Sequence, residues 1–419
     1  MSTAGTEVGS RVDELARAAT DAVLEAALRD GGRVGWVTWS RTETAAPTLQ
    51  AAGPEVYDGA AGTAWALSLL APLHDRPDHL RALARAALPP HAPDAAGLLD
   101  GAAGVALARA TVTGSPGTLP PPQGLAGSSD HLDGLAGLLL ATVSAGAAPR
   151  EQAAVVRALL DCGRADGEGW AHPGPADERG EPARPLTGLA HGSSGVLLAL
   201  GHWLATDPQG PLAAAARDRL SRTWLWESAW VDRVLGWPDL RDEPPAYPVL
   251  WCHGTAGVTA VRLELGRLAD AGVDLGVPAT ALRSQAEAGL LLCREQVELS
   301  AEAARRQRAG SGPASVRVDP QDAGLTLCHG LGGPLDVLAS AAARGDTEHL
   351  QAARAAVLDV VGLLGEDPHL WPTGQRTRGG YGLFQGLSGT ALVLARLARP
   401  ELGLPSPGLF GVPVRGGRP

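Results

Sequence analysis

Two short segments carry the residue types that could do chemistry. Residues 250–257 read LWCHGTAG and residues 327–333 read LCHGLGG. In each, a Cys beside a His sits at a glycine-rich turn, and a small-residue, apolar run of helical character follows. Cys252, Cys328 and His329 together offer two thiolates and an imidazole. Three protein ligands with one open position is the donor set of a catalytic zinc. One Cys-His dipeptide would carry little weight, but two in matching turns point to a shared metal. His253 follows Cys252 directly. Adjacent residues of one turn rarely both ligate, so His253 is expected behind the ligands or lining the mouth of the site. Cys162 and Cys293 fall in helical segments with no neighbouring His and read as packing residues.

The elements that must position these residues are repeats. The pattern of a residue followed by GxxG and then an Ala/Leu-rich helical run begins at Asp58 (DGAAG), Asp100 (DGAAG), Asp133 (DGLAG), His191 (HGSSG), His253 (HGTAG), His329 (HGLGG) and Gln385 (QGLSG). A recurrence of this kind marks one structural unit used many times. Glycine allows both positive φ and close approach of backbones. At the Asp58, Asp100 and Gln385 copies the pattern reads as packing alone. Aspartate directly before the glycine, as at Asp133, reads as a cap. More polar helical segments lie between the copies, at residues 77–88, 150–162, 210–222, 278–306 and 346–365. Helices apolar nearly all round belong inside and amphipathic ones outside. The expected fold is therefore all-α, an α/α toroid of seven inner helices surrounded by outer ones, with all the turns facing one end. Residues 114–129 are too rich in Pro and Gly for an outer helix. Residues 12–30 read as an amphipathic helix and residues 35–40 as an extended piece. Residues 163–185 and 306–319 read as loops. No linker divides the chain, so residues 1–419 are expected to form one domain with a repeat core at about 50–400.

Composition narrows the functional classes. Every basic residue is Arg and the net charge is −10, which argues against nucleic acid, since phosphate binding needs clustered cations. An acidic surface would suit a basic peptide. Four cysteines in 419 residues do not make a disulfide framework. No secretory signal and no membrane-spanning apolar run is visible, so a cytoplasmic location is expected.

The turns WCHGTAG, LCHG and GLAHGSSG, set within seven GxxG repeats from Asp58 to about Arg399, together resemble the lanthionine synthetase C-like family, the lanthipeptide cyclases. The resemblance implies a seven-fold α/α barrel with a catalytic zinc held by Cys252, Cys328 and His329. It also implies a catalytic His at His191 and a catalytic Asp at Asp130. One departure stands out. Cyclases that act alone on nisin-like precursors carry an Arg four residues ahead of the first zinc-binding Cys, where this chain has Pro248.

The chemistry implied is addition of a peptide cysteine thiolate to dehydroalanine or dehydrobutyrine, forming lanthionine or methyllanthionine rings. A metal-bound thiol is deprotonated at neutral pH. His191 would return the proton to the α-carbon, because imidazole changes charge near neutrality. Asp130 would orient or charge-balance His191. His131, His172 and His202 read as structural or surface residues, although His172, in a GWAHPGP loop, is placed to touch substrate. The expected partners are a dehydrated precursor peptide and a dehydratase or kinase/lyase enzyme. Two alternatives share much of the pattern: glutathione addition to dehydrated peptides, and a non-catalytic scaffold that presents the precursor. A toroidal glycosidase would need paired carboxylates and aromatics at the turns, where this chain has thiols and imidazoles.

Overall fold

The computed structural model describes residues 3–39, 48–115, 117–125, 127–176, 182–241, 243–310, 324–374 and 377–413. The described residues are mostly helical. In chain order the α-helices are α1 (Thr3–Glu25), α2 (Ala60–Leu70), α3 (Pro77–Ala87), α4 (Ala102–Thr113), α5 (Leu135–Ser144), α6 (Pro149–Leu160), α7 (Ser193–Thr206), α8 (Ala213–Ser228), α9 (Thr255–Asp270), α10 (Ala279–Arg308), α11 (Gly332–Ala342), α12 (Thr347–Leu364) and α13 (Leu387–Ala398). The strands are two or three residues long and pair antiparallel, two by two, within connections. Among the described residues no helix is long and apolar enough to cross a membrane.

The chain packs as two units, each discontinuous in sequence. The first comprises Met1–His91, Thr111–Gly114 and Cys293–Phe410, and the second Ala92–Ala110, Ser115–Leu292 and Gly411–Pro419. In the first unit, α13 packs against α2, α11 and the N-terminal helix α1, while α3 lies on α2 and α12 on α11. Nearly every residue of α2, α11 and α13 is buried. The covering helix α3 buries only Leu80, Leu83, Ala84 and Ala87, the i, i+3, i+4, i+7 stripe of an amphipathic helix. In the second unit, α7 packs against α5, α8 and α9, and α6 covers α5. Here α5 and α7 are the helices buried almost throughout, and α6 buries a stripe of Gln152, Val155, Val156 and Leu159. The division into wholly apolar and amphipathic helices is the one expected from the repeats.

The GxxG turns owe their glycines mainly to space. A Cβ on Gly137 would lie 2.2 Å from the His131 carbonyl oxygen, and one on Gly257 would lie 2.1 Å from that of Trp251. The residues just before α2, α5, α7, α9 and α13 thus fold back onto the first turn of each helix. The first glycine of the motif has extended backbone at the N-caps of α2, α5, α7 and α13. At Gly254 it takes φ 93° instead. Neighbouring turns are laced by backbone hydrogen bonds. In the second unit Leu99 N–H donates to Leu132 O (2.8 Å), His131 N–H to Ala190 O (3.1 Å) and Ala190 N–H to Cys252 O (3.2 Å). In the first, Cys328 N–H donates to Phe384 O and Phe384 N–H to Tyr57 O, both at 2.9 Å. Each bond ties one repeat's turn to the next repeat's.

Several boundaries differ from the sequence reading. Helix α1 begins at Thr3 and stops at Glu25, because residues 28–30 pair with residues 33–35 across a Gly31-Gly32 hairpin. Helix α8 begins after Pro211 and continues to Ser228, since Thr223, Trp226 and Glu227 are buried along its last turns. Helix α10 carries through Arg308, and the rest of the expected loop at 311–319 lies outside the described residues. In the other expected loop, Arg164–Asp166 pairs with Gly169–Ala171, and Gly174–Ala176 with Pro182–Ala183. Asp58 and Asp133 do not cap the helices that follow them. Neither α2 nor α5 has a side-chain cap, and Asp58 instead accepts the Gln385 N–H at 3.0 Å.

Candidate functional site

The laced turns of the second unit bring together Asp130, His191 and the Cys252-His253 pair. Asp130 is buried at the turn before α5. Its Oδ2 lies 2.8 Å from His191 Nδ1, and its Oδ1 accepts the Asp133 N–H at 3.0 Å. Asp130 is therefore neither a helix cap nor a solvated carboxylate. Burial opposes charge on both partners, yet the hydrogen bond and the mutual attraction outweigh it. They hold Asp130 below the usual carboxylate range and His191 above the usual imidazole value. With Nδ1 turned to the carboxylate, Nε2 is the nitrogen left to exchange a proton with a substrate. His191 keeps a quarter of its side chain exposed, against 1% for Asp130, so the histidine is the member of the pair within a substrate's reach.

His253 lies beside His191, with ring centroids 5.9 Å apart. It is buried, and that burial lowers its pKa to about 4. A neutral imidazole there leaves His191 free to carry the local positive charge. Asp133 is pushed up to about 7 by burial, and then by the charge of Asp130. Sequence reasoning took Asp133 for a cap, whereas it is a second carboxyl titrating near neutrality next to the His191 pair.

The turn holding His191 is clamped from behind by a charge. Glu227, on α8, accepts from Gly188 N–H (3.1 Å) and Ser194 Oγ (2.7 Å), which flank His191 in sequence. Arg262, on α9, donates to the same carboxylate at 2.6 Å, and both side chains are 0% exposed. Arg262 Nε in turn donates to Gln285 Oε1 at 2.7 Å. An acidic residue on a covering helix reads as a solvated charge in sequence, so nothing there marked Glu227.

In the first unit the laced turns gather Cys328, His329, Tyr57 and Gln385. Cys328 Sγ and His329 Nε2 are 3.8 Å apart. Tetrahedral zinc with Zn–S of about 2.3 Å and Zn–N of about 2.0 Å separates such ligands by roughly 3.6 Å. The pair is thus already near the spacing a zinc ion would impose. Tyr57 Oη lies 2.9 Å from Cys328 Sγ, and Gln385 Nε2 donates to that oxygen at 3.0 Å. The Tyr57 ring stacks on Phe384 at 5.1 Å and 4°. Burial, and then the neighbouring thiol, raises the Tyr57 pKa well above its ordinary value, so the phenol stays neutral. Sequence reasoning missed Tyr57, which precedes the first repeat without any metal-binding character. Gln385 was visible as the residue in the slot that holds His or Asp elsewhere, but was read as packing.

Cys252, in the second unit, and Cys328 and His329, in the first, are the two thiols and the imidazole that a metal ion would need as donors. All four cysteines are buried and free of disulfides. Cys162 and Cys293 remain packing residues; the former lies just past the end of α6 rather than in the helix, and its Sγ bonds back to Ala158 O. The other three histidines singled out from the sequence are internal. His172 is buried, bonded to Thr223 Oγ1 at 3.1 Å, and lowered by burial to about 3, which removes it as a substrate contact. His131 is wholly buried and lowered to about 4. His202 lies 3.1 Å from Glu264. Pro248 serves the backbone: its carbonyl accepts the Thr255 N–H at 3.0 Å, at the start of α9.

Comparison with known proteins follows the same lines. The family model described as lanthionine synthetase C-like protein matches residues 43–410. Among solved structures, one named nisin cyclase is similar with a TM-score of 0.54 at 14% identity, covering 87% of this chain and 94% of that one. At that identity the likeness speaks to fold alone, and the fold is the α/α toroid expected from the repeats. No curated protein matches the chain.

Proposed function

The chain belongs to the lanthionine synthetase C-like family, and from that premise we propose that it is a zinc-dependent peptide cyclase. It would add cysteine thiols of a dehydrated precursor to dehydroalanine or dehydrobutyrine in the same peptide. The observation that carries the reading is the Asp130–His191 pair, a buried carboxylate bonded to a part-exposed imidazole and raising its pKa, in the turn laced to Cys252. The donor set of Cys252, Cys328 and His329 suits zinc, and the 3.8 Å spacing of Cys328 and His329 agrees with it. Cys252 is the ligand contributed by the second unit, so the proposal treats residues 1–419 as one working domain. The name nisin cyclase, carried by the similar structure, is consistent with this chemistry.

A zinc ion bound there would supply the thiolate form of the substrate cysteine at neutral pH. The sulfur then bonds to the β-carbon of the dehydro residue, and the π electrons move toward the α-carbon and its carbonyl. His191, whose pKa Asp130 raises, delivers its Nε2 proton to the α-carbon, and the proton released by the substrate thiol re-protonates the histidine. Asp130 remains ionised and fixes the ring so that Nε2 faces the substrate. Glu227 and Arg262 hold the turn that carries the ring.

Cyclisation leaves the mass of a peptide unchanged but removes a free thiol. The test is therefore to incubate the purified protein with a dehydrated, cysteine-containing peptide, with and without glutathione. Free thiols are then counted by alkylation and mass spectrometry. Loss of alkylation without added mass supports the cyclase. A glutathione adduct would assign the addition to an external thiol. Unchanged alkylation in both arms would leave only a scaffold. For His191→Ala we expect full zinc content and cyclisation slowed by about 10²–10⁴-fold, the range for loss of a general acid.

A further inference from the structure

The first unit holds a second group of residues aimed at the metal's sulfur. Cys328 lies in the turn before α11, Gln385 in the turn before α13, and Tyr57 in the turn before α2. The bonds from Cys328 N–H to Phe384 O and from Phe384 N–H to Tyr57 O fix these three turns to one another. Their side chains form a chain in the same order of contact: Gln385 Nε2 to Tyr57 Oη at 3.0 Å, and Tyr57 Oη to Cys328 Sγ at 2.9 Å. A phenol has a single hydrogen to give. Because the amide of Gln385 donates to Oη, that hydrogen is directed at the sulfur. The flat stack of Tyr57 on Phe384 holds the ring so that the hydroxyl does not swing away.

We propose that Tyr57, oriented by Gln385, is a positioning residue for the metal centre, donating a hydrogen bond to the Cys328 thiolate and so setting its strength as a ligand. This rests on the assignment of Cys328 as a metal ligand made above. A neutral thiol is a weak acceptor, whereas a thiolate accepts a charge-assisted bond. The tyrosine therefore favours the deprotonated sulfur that a metal requires. The same bond draws electron density from the sulfur, leaving more positive charge on the metal for whatever occupies its fourth position. Partners behind metal ligands typically account for about 10–100-fold in affinity or activity. The slot that Gln385 occupies gains a purpose under this reading. The repeat places His or Asp there in other turns, and here an amide serves as a neutral donor behind the phenol.

The test is a cobalt(II) titration of the full chain, followed by thiolate-to-cobalt absorption and by competition with a chromogenic zinc chelator. Wild type is compared with Tyr57→Phe, which keeps the stacked ring, and with Gln385→Leu, which keeps the hydroxyl but frees its direction. We expect Tyr57→Phe to weaken zinc about 10-fold or more and to move the charge-transfer band to longer wavelength, because an unbonded thiolate gives up an electron more easily. Gln385→Leu should shift both readouts in the same direction by less. A band unmoved and zinc affinity within about twofold of wild type in both variants would overturn the proposal while leaving the ligand assignment intact. Identical cobalt spectra for wild type and Cys328→Ala would overturn the ligand assignment, and the proposal with it. Should Tyr57→Phe fail to fold, as judged by circular dichroism, the Gln385→Leu shift decides alone.

Discussion

Replacing Glu227 by Ala removes the carboxylate that holds the His191 turn, and the structure sets the size of the effect. The carboxylate takes four bonding roles: it accepts Gly188 N–H, Ser194 Oγ and Arg262 Nη2, and balances the Arg262 charge. Both charged side chains are wholly buried, so Glu227→Ala strands a cation inside the protein. Breaking a buried pair by removing one partner costs about 3–5 kcal/mol. A buried amide left without an acceptor adds about 1–3 kcal/mol; the serine hydroxyl can rotate to another acceptor and adds less. The expected loss is at least ~4 kcal/mol, read as a shift in the urea midpoint of the far-ultraviolet signal. The double variant Glu227→Leu with Arg262→Met removes both charges and refills the volume, and such replacements are often neutral. It should recover more than half the loss. It should not recover cyclisation, because Gly188 and Ser194 stay unheld and His191 loses its fixed position. A single variant within ~1 kcal/mol of wild type, or a double variant less stable than the single, would refute the reasoning.

Two further outcomes follow from the same turns. Asp130→Asn removes the attraction that outweighs burial at His191, so the His191 pKa should fall below its ordinary 6.5, and the basic limb of the rate profile should move to lower pH. The stability that His191 gains is full below 6.5 and fades as pH rises through its raised folded value, whereas that of Asp130 is present above 3.8 and is lost as pH falls through its lowered one. The gap between wild type and Asp130→Asn should therefore be widest between those two values, and a gap that grows steadily above neutral pH would contradict the assignment. Gly254→Ala places a Cβ 1.9 Å from the Pro248 carbonyl oxygen at φ 93°. Backbone strain alone costs about 1–3 kcal/mol, so both thermal stability and bound zinc should fall; unchanged melting would show that the turn accommodates a side chain.

Much of the fold was legible because its signals are local. Apolar runs without a polar face, glycines at fixed spacing and intervening amphipathic stripes all lie within about fifteen residues of sequence, and α2, α5, α7 and α13 begin where the GxxG motif places them. Thiols and imidazoles are rare enough in this chain to single out Cys252, Cys328, His329 and His191. What stayed hidden depends on pairing between distant repeats. Tyr57 and Cys328 are 271 positions apart, and Glu227 reaches Gly188 across 39; no periodicity encodes either contact. Asp133 was misread for a related reason. Its position before the glycine suggested a cap, but the bond it makes is to Asp130 through its own N–H, and burial rather than capping governs its proton. Helix α8 outran its expected end because its buried Thr223, Trp226 and Glu227 sit among charged residues that suggested a solvated face.

The central claim is that Cys252, Cys328 and His329 hold one zinc ion, with His191 as the nearby acid. The most direct measurement is zinc content after exhaustive dialysis and reconstitution, for wild type beside Cys252→Ala, Cys328→Ala and His191→Ala. The account predicts one zinc per chain in wild type and in His191→Ala, and near zero in each cysteine variant. Full zinc retained by both cysteine variants, or no zinc taken up by the folded wild type, would contradict it.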